Sequence, residues 1–193
     1  MIPASADKER VLVAALREGN EAGRRDCYEQ FYRYLAAVCS RYVPTDEDVK
    51  DLLQDVFLKI FTRFDRFTYR GAGSLQAWMY QIAVNESLMF LRSNKKRWTL
   101  QIEEVEVPDD NEEYPDDPDV EDIPLHVLLE MVRKLPERYR TVFNLYVFED
   151  RRHKDIASLL NIKETSSASN LCRAKALLAK WIKEYHKTRP DGR

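Results

Sequence analysis

At 193 residues the chain has room for one domain or two small ones, and its formal charge of −2 conceals a division: residues 1–98 carry 16 basic and 13 acidic side chains, residues 99–124 carry 12 acidic and no basic ones, and residues 125–193 carry 15 basic and 8 acidic. Two basic blocks around an acidic one point towards nucleic acid, while the lack of an apolar run of membrane-spanning length and of an apolar core in the leading MIPASADKER argues against membrane insertion or export and for a cytoplasmic protein. Cys27, Cys39 and Cys172 lack CxxC spacing and the three histidines are scattered, which argues against a disulfide framework or a zinc site; the cysteines read as packing residues, and no cofactor is expected.

The first predicted element is a short helix over Ala6–Arg17, carrying Val11, Leu12, Ala15 and Leu16 and ended near Gly19 and Asn20. A second helix, over residues 22–42, has a core face of Tyr28, Phe31, Tyr32, Leu35, Val38, Cys39 and Tyr42. Pro44 and Thr45 then break the chain before TDEDVKDLLQDVFLKIFTRF. Here Val49, Leu52, Leu53, Val56, Phe57, Ile60, Phe61 and Phe64 recur at spacings of three and four, which predicts one broad apolar stripe on a helix capped by Thr45. The opposite face gathers Glu47, Asp48, Asp51, Gln54 and Asp55, with Leu58 among them. That face admits two readings: a solvated surface with one stray leucine, or a protein-docking surface, since carboxylates would repel phosphates.

The loop DRFTYRGAGS follows. Its GxG is weak as a phosphate-binding signal because no strand precedes it and no GK[ST] follows. Arg66, Phe67, Tyr69 and Arg70 suit another task, in which aromatic rings stack on unpaired bases while arginines hold the backbone. Ser74 is expected to cap a helix to Ser93 with Leu75, Trp78, Met79, Ile82, Ala83 and Phe90 buried and Tyr80, Gln81 and Asn85 exposed. At its end Arg92, Lys95, Lys96 and Arg97 stand beside Trp98, more cations than a helix dipole requires, and read as nucleic-acid contacts.

Residues 99–124 hold four prolines and no cation, the composition of a flexible or extended linker; a polyanionic strand lying in a basic channel is the sharper alternative. About four helices follow: Leu125–Lys134, a stop and restart at Leu135 and Pro136, residues 138–148, His153–Leu160, and a last one over residues 165–185 after a turn at Asn161. The last two resemble a DNA-reading helix-turn-helix, with Leu171, Ala174, Leu178, Trp181 and Ile182 inward and Ser166, Ser169, Asn170 and Arg173 outward; a plain helical hairpin with a polar exterior fits the pattern equally.

Taken in series, DLLQDVFLKIF, WMYQIAVNESLMFLRSNKKR, LPERYRTVFNLYVFEDRRHKDIASLLNI and SSASNLCRAKALL strongly resemble the small two-domain sigma factors of the extracytoplasmic-function (ECF) type in the sigma-70 family. The resemblance covers nearly the whole chain. It implies an all-α fold of two small helical domains, residues 1–98 and 125–193, joined by an acidic flexible linker over 99–124. The first domain would dock on core RNA polymerase and open the minus-ten element; the second would read the minus-thirty-five element. Asp51, Gln54 and Asp55 then fall at docking positions, with Asp48 and Leu58 beside them. The loop from Phe67 to Ser74, with Asn85 on the next helix, lies where the family captures a flipped base, Tyr80 and Gln81 fall to the minus-ten element, and Arg92, Lys95, Lys96 and Arg97 would hold promoter phosphates. Arg151, Arg152, Ser166, Ser169, Asn170 and Arg173 fall to the minus-thirty-five element. Expected partners are core polymerase, promoter DNA and, by family habit, an anti-sigma protein; no catalysis is expected.

Two positions depart from the family pattern: Ser167 and Ala168 replace a β-branched apolar residue and a cation, and Asn161 stands where a glycine is common. A polymerase-independent helix-turn-helix regulator is the runner-up, though it leaves the Asp51–Gln54–Asp55–Leu58 surface without a use. A third reading is an all-helical adaptor whose basic patches only confer solubility.

Overall fold

A computed structural model of the protein describes residues 6–93, 120 and 122–188. The chain divides into two compact units, Met1–Leu100 and Gln101–Arg193. All regular elements among the described residues are helical.

In the first unit, α1 (Ala6–Arg17) turns back through Gly19, at φ +69°, into α2 (Glu21–Ser40), whose start is capped by the Asn20 side chain accepting from the Ala22 amide at 2.9 Å. The two helices approach so closely at Gly23 that a Cβ there would lie 2.7 Å from Ala15 Cβ. Helix α3 (Asp46–Thr62) begins as its sequence predicts: Thr45 Oγ1 accepts from the Asp48 amide at 3.1 Å, and Asp46, Glu47 and Asp48 occupy the positive end of the helix. Val49, Leu52, Leu53, Val56, Phe57 and Ile60 bury the predicted stripe against α2 and against α4 (Ser74–Ser93), while Phe61 is half-buried. A single 3-10 turn, Phe64–Arg66, leads into the loop before α4. Lys59 Nζ lies 2.6 Å from both Glu86 carboxylate oxygens and ties α3 to α4.

The second unit holds α5 (Leu125–Lys134), α6 (Glu137–Phe143), α7 (His153–Leu160) and α8 (Glu164–Thr188). Leu135 is extended ahead of Pro136, as the ring of a following proline demands. Across that break the buried Arg140 guanidinium donates to the carbonyls of Arg133 (2.7 Å) and Leu135 (3.2 Å), which satisfies the end of α5; burial lowers its pKa to about 10 despite the neighbouring Glu137. Its core joins Leu135, Ala174 and Leu177 to Tyr139 and Phe143, and Met131 and Ile182 to Leu128 and Trp181.

Three expectations are corrected. Residues 138–148 are not one α-helix: α6 stops at Phe143, and Asn144–Phe148 wind as a π turn in which the Glu149 amide reaches the Asn144 carbonyl at 3.2 Å. The wider turn keeps Asn144 and Leu145 buried and turns Tyr146, Val147 and Phe148 outward. Tyr28, read as core, is 45% exposed and packs by one face on Phe57, at 4.6 Å between ring centres. Ser74 does not cap α4 by its hydroxyl, which donates to the Gly71 carbonyl (2.7 Å) and accepts from the Arg70 amide. The cap comes from Glu9 in α1.

Candidate nucleic-acid and protein interfaces

On α3 the outward face presents Asp51, Gln54 and Asp55, all exposed, with Leu58 at 63% exposure one turn further on. Among the described residues no side-chain hydrogen bond or ion pair engages Asp51, Gln54 or Asp55. Asp48 differs: it is half-buried and accepts from the Thr45 hydroxyl at 2.5 Å, so its carboxylate is part of the helix cap. An exposed leucine costs about 2 kcal/mol relative to burial. Set among unpaired carboxylates, it forms a surface with both charge and apolar area to offer.

The loop from Phe67 to Ser74 borders an open pocket of about 330 Å³ lined by Arg66, Phe67, Thr68, Arg70, Ser74 and Trp78. Arg66 and Arg70 are exposed at its rim and Tyr69 is half-buried. Phe67 departs from its expected freedom: at 5% exposure it packs against Phe64 and Trp78, at 5.5 and 5.2 Å between ring centres, and serves as the pocket's wall. The apolar run of that cluster holds the ring more strongly than solvent exposure would reward it. Along α4, Ala77, Gln81, Asn85 and Arg92 are exposed and recur at spacings that place them on one face, running from the pocket towards the helix end. Tyr80 is only half-exposed, because its hydroxyl accepts from Arg41 Nη2 at 3.0 Å. Lys95, Lys96 and Arg97 lie outside the described residues.

In the second unit Arg151 and Arg152 are exposed immediately before α7. Asn161 takes a left-handed conformation (φ 54°, ψ 51°) and turns the chain into α8, a geometry asparagine tolerates. Ser169 is exposed, and Ser166, Asn170 and Arg173 are half-buried at the start of α8. Ser167 is fully buried and lies 3.0 Å from His153 Nδ1, whose ring stacks on Tyr146 at 4.7 Å. This hydrogen bond joins the first residue of α7 to α8 and fixes one helix against the other. The sequence marks Ser167 only as a departure from the family pattern and does not pair it with His153, since a serine and a histidine 14 positions apart give no periodic signal.

The sequence matches the family described as Sigma-70 region 2 over residues 27–97 and the one described as Sigma-70, region 4 over residues 125–178. It is 29% identical to RNA polymerase sigma factor SigV of Bacillus subtilis over 79% of this chain and 84% of that one. To the ECF RNA polymerase sigma-E factor of Escherichia coli K12 it is 24% identical, over 86% and 90% of the two chains. The solved structure of CnrH in complex with the cytosolic domain of CnrY aligns with 91% of this chain and 97% of its own at 18% identity, with a TM-score of 0.46, a likeness too loose to carry a structural argument.

Proposed function

The chain belongs to the sigma-70 family as a factor of the ECF type, binding core RNA polymerase and directing promoter recognition, and from that premise we propose how its surfaces divide the work. Asp51, Gln54, Asp55 and Leu58 dock on core polymerase. The observation that carries this reading is Leu58 at 63% exposure within an acidic face that has no partner among the described residues. Residues 1–98 act on the minus-ten element. There the pocket beside Trp78 receives an unstacked base, Arg66, Arg70, Gln81 and Asn85 contact the strand, and Arg92 with Lys95, Lys96 and Arg97 holds phosphates.

Residues 125–193 read the minus-thirty-five element, with Ser166, Ser169, Asn170 and Arg173 at the groove and Arg151 and Arg152 on the backbone. Residues 99–124 link the two and, as a polyanion, follow a basic channel of the polymerase. The factor itself carries out no bond chemistry: it works in the cytoplasm by positioning polymerase and by stabilising open DNA. An anti-sigma protein that silenced it by blocking polymerase would cover the α3 face.

The test is transcription by core polymerase from a pool of random promoter fragments, with the intact factor and with an Asp51→Arg, Gln54→Ala variant. Intact protein should select particular fragments; the variant, altered only at exposed positions, should keep its helical content and lose initiation by at least tenfold. A variant that initiates as well as the intact protein would remove the docking assignment, and tight DNA binding without polymerase would favour a self-sufficient regulator.

A further inference from the structure

Glu9 lies in α1, far in sequence from the loop that opens α4. Its side chain is nonetheless buried at 3% exposure, and both carboxylate oxygens engage that loop: Oε2 accepts from the Gly73 amide at 2.5 Å and Oε1 from the Leu75 amide at 2.8 Å. Amides at a helix start have no acceptor within the helix, and a carboxylate placed there gains both from its charge and from the helix dipole. The segment it holds needs holding. Gly71 and Gly73 both sit at positive φ, +114° and +84°, a region glycine enters freely, and a Cβ at either position would meet nothing within 4 Å, so no side chain of their own packs the turn in place. Ser74 ties the loop from within and the buried Phe67 anchors its far end, leaving the amides on either side of Ser74 to a residue from another helix.

We propose that Glu9 is a positioning residue for promoter opening: from α1 it fixes the Gly71–Ser74 backbone, so that the pocket and its arginine rim are already in shape when DNA arrives. This rests on the assignment of the pocket to an unstacked base. A loop ordered in advance does not have to be ordered during base capture, which is the step where DNA unstacking is already being opposed. The carboxylate also occupies two amides that would otherwise suit a phosphate, so DNA meets the side chains of this loop and not its backbone.

The experiment follows 2-aminopurine fluorescence in the minus-ten element with the full-length factor on core polymerase, using a duplex promoter and the same promoter already melted as a bubble. Glu9→Gln keeps the shape but offers one acceptor oxygen where Glu9 offers two, so it loses the charge and leaves one of the two amides facing an NH2 donor. It should slow opening of the duplex roughly tenfold, the scale of one weakened charge-assisted hydrogen bond, while polymerase affinity and initiation from the bubble stay near those of the intact factor. Leu12→Ala, which loosens the same helix through its core contact alone, controls for stability and should open the duplex normally at an equal or greater loss of melting temperature. If Glu9→Gln opens the duplex as fast as the intact factor, or if both variants slow it in proportion to lost stability, the positioning role is overturned. An Arg66→Ala, Arg70→Ala variant separates the two levels: normal opening there sinks the pocket assignment itself, whereas slow opening there with normal opening in Glu9→Gln sinks only the positioning.

Discussion

Cys27 and Cys39 are fully buried, and burial pushes each thiol up to about 12; at Cys39 a hydrogen bond with Ser87 and the charge of Arg41 pull the other way without prevailing. In the unfolded chain a thiol titrates near 8.5, roughly. The folded state therefore keeps protons that the unfolded state has released, so this stabilisation is complete below about pH 8.5 and is lost as pH rises towards about 12. The melting temperature of the first unit should fall above about pH 9, and a Cys27→Ala, Cys39→Ala protein should fall less; an equal fall would assign the effect to other groups. At pH 8 a thiol reagent should modify Cys172, which is half-buried, before the other two. The packing role of Cys39 was legible in its place on the apolar face of α2 and that of Cys27 in the lack of CxxC spacing, as was the left-handed Asn161 in the turn it occupies. Phe67 was not, because an aromatic beside arginines looks the same in sequence whether its ring faces solvent or a neighbouring tryptophan.

Helices α1 and α2 meet where neither has a side chain beyond a methyl. Glycine inside a helix costs about 1 kcal/mol relative to alanine, so Gly23→Ala would stabilise an isolated α2. In the folded unit the added Cβ would meet Ala15 Cβ at 2.7 Å and its carbonyl carbon at 3.2 Å, and α1 would have to move away. We expect a net loss of about 1–3 kcal/mol by denaturant unfolding, partly recovered by adding Ala15→Gly; a gain in stability would show that α1 shifts freely. Helix ends were read well where a local side chain supplies the cap, as Thr45 does for α3. They were read badly where the partner is remote, as Glu9 is for α4, or where the winding changes, as at Asn144–Phe148.

Charge is distributed over the whole molecule in a way no single element shows, with an acidic stretch of 12 carboxylates between two basic blocks. Each unit carries its own proposed DNA contacts, and a tether between two weak sites raises the effective concentration of the second once the first is engaged. The linker then has two separable properties, length and charge. Replacing its Asp and Glu residues by Asn and Gln at constant length should leave polymerase affinity nearly unchanged and alter abortive initiation or promoter escape. Equal loss of binding and initiation would count against a polyanion acting along the polymerase channel.

The sequence by itself determined most of the helices, the Thr45 cap, the apolar stripes, the acidic face with Leu58 and the division of charge, because helical period, local capping and composition are encoded within a few neighbouring residues. The tertiary structure alone decided that Phe67 walls a pocket, that Ser167 pairs with His153, and that a glutamate in α1 closes the start of α4. Those outcomes depend on side chains brought together from separate helices, where the demand of a buried polar group or an unsatisfied amide for a partner is met by whichever residue the packing delivers.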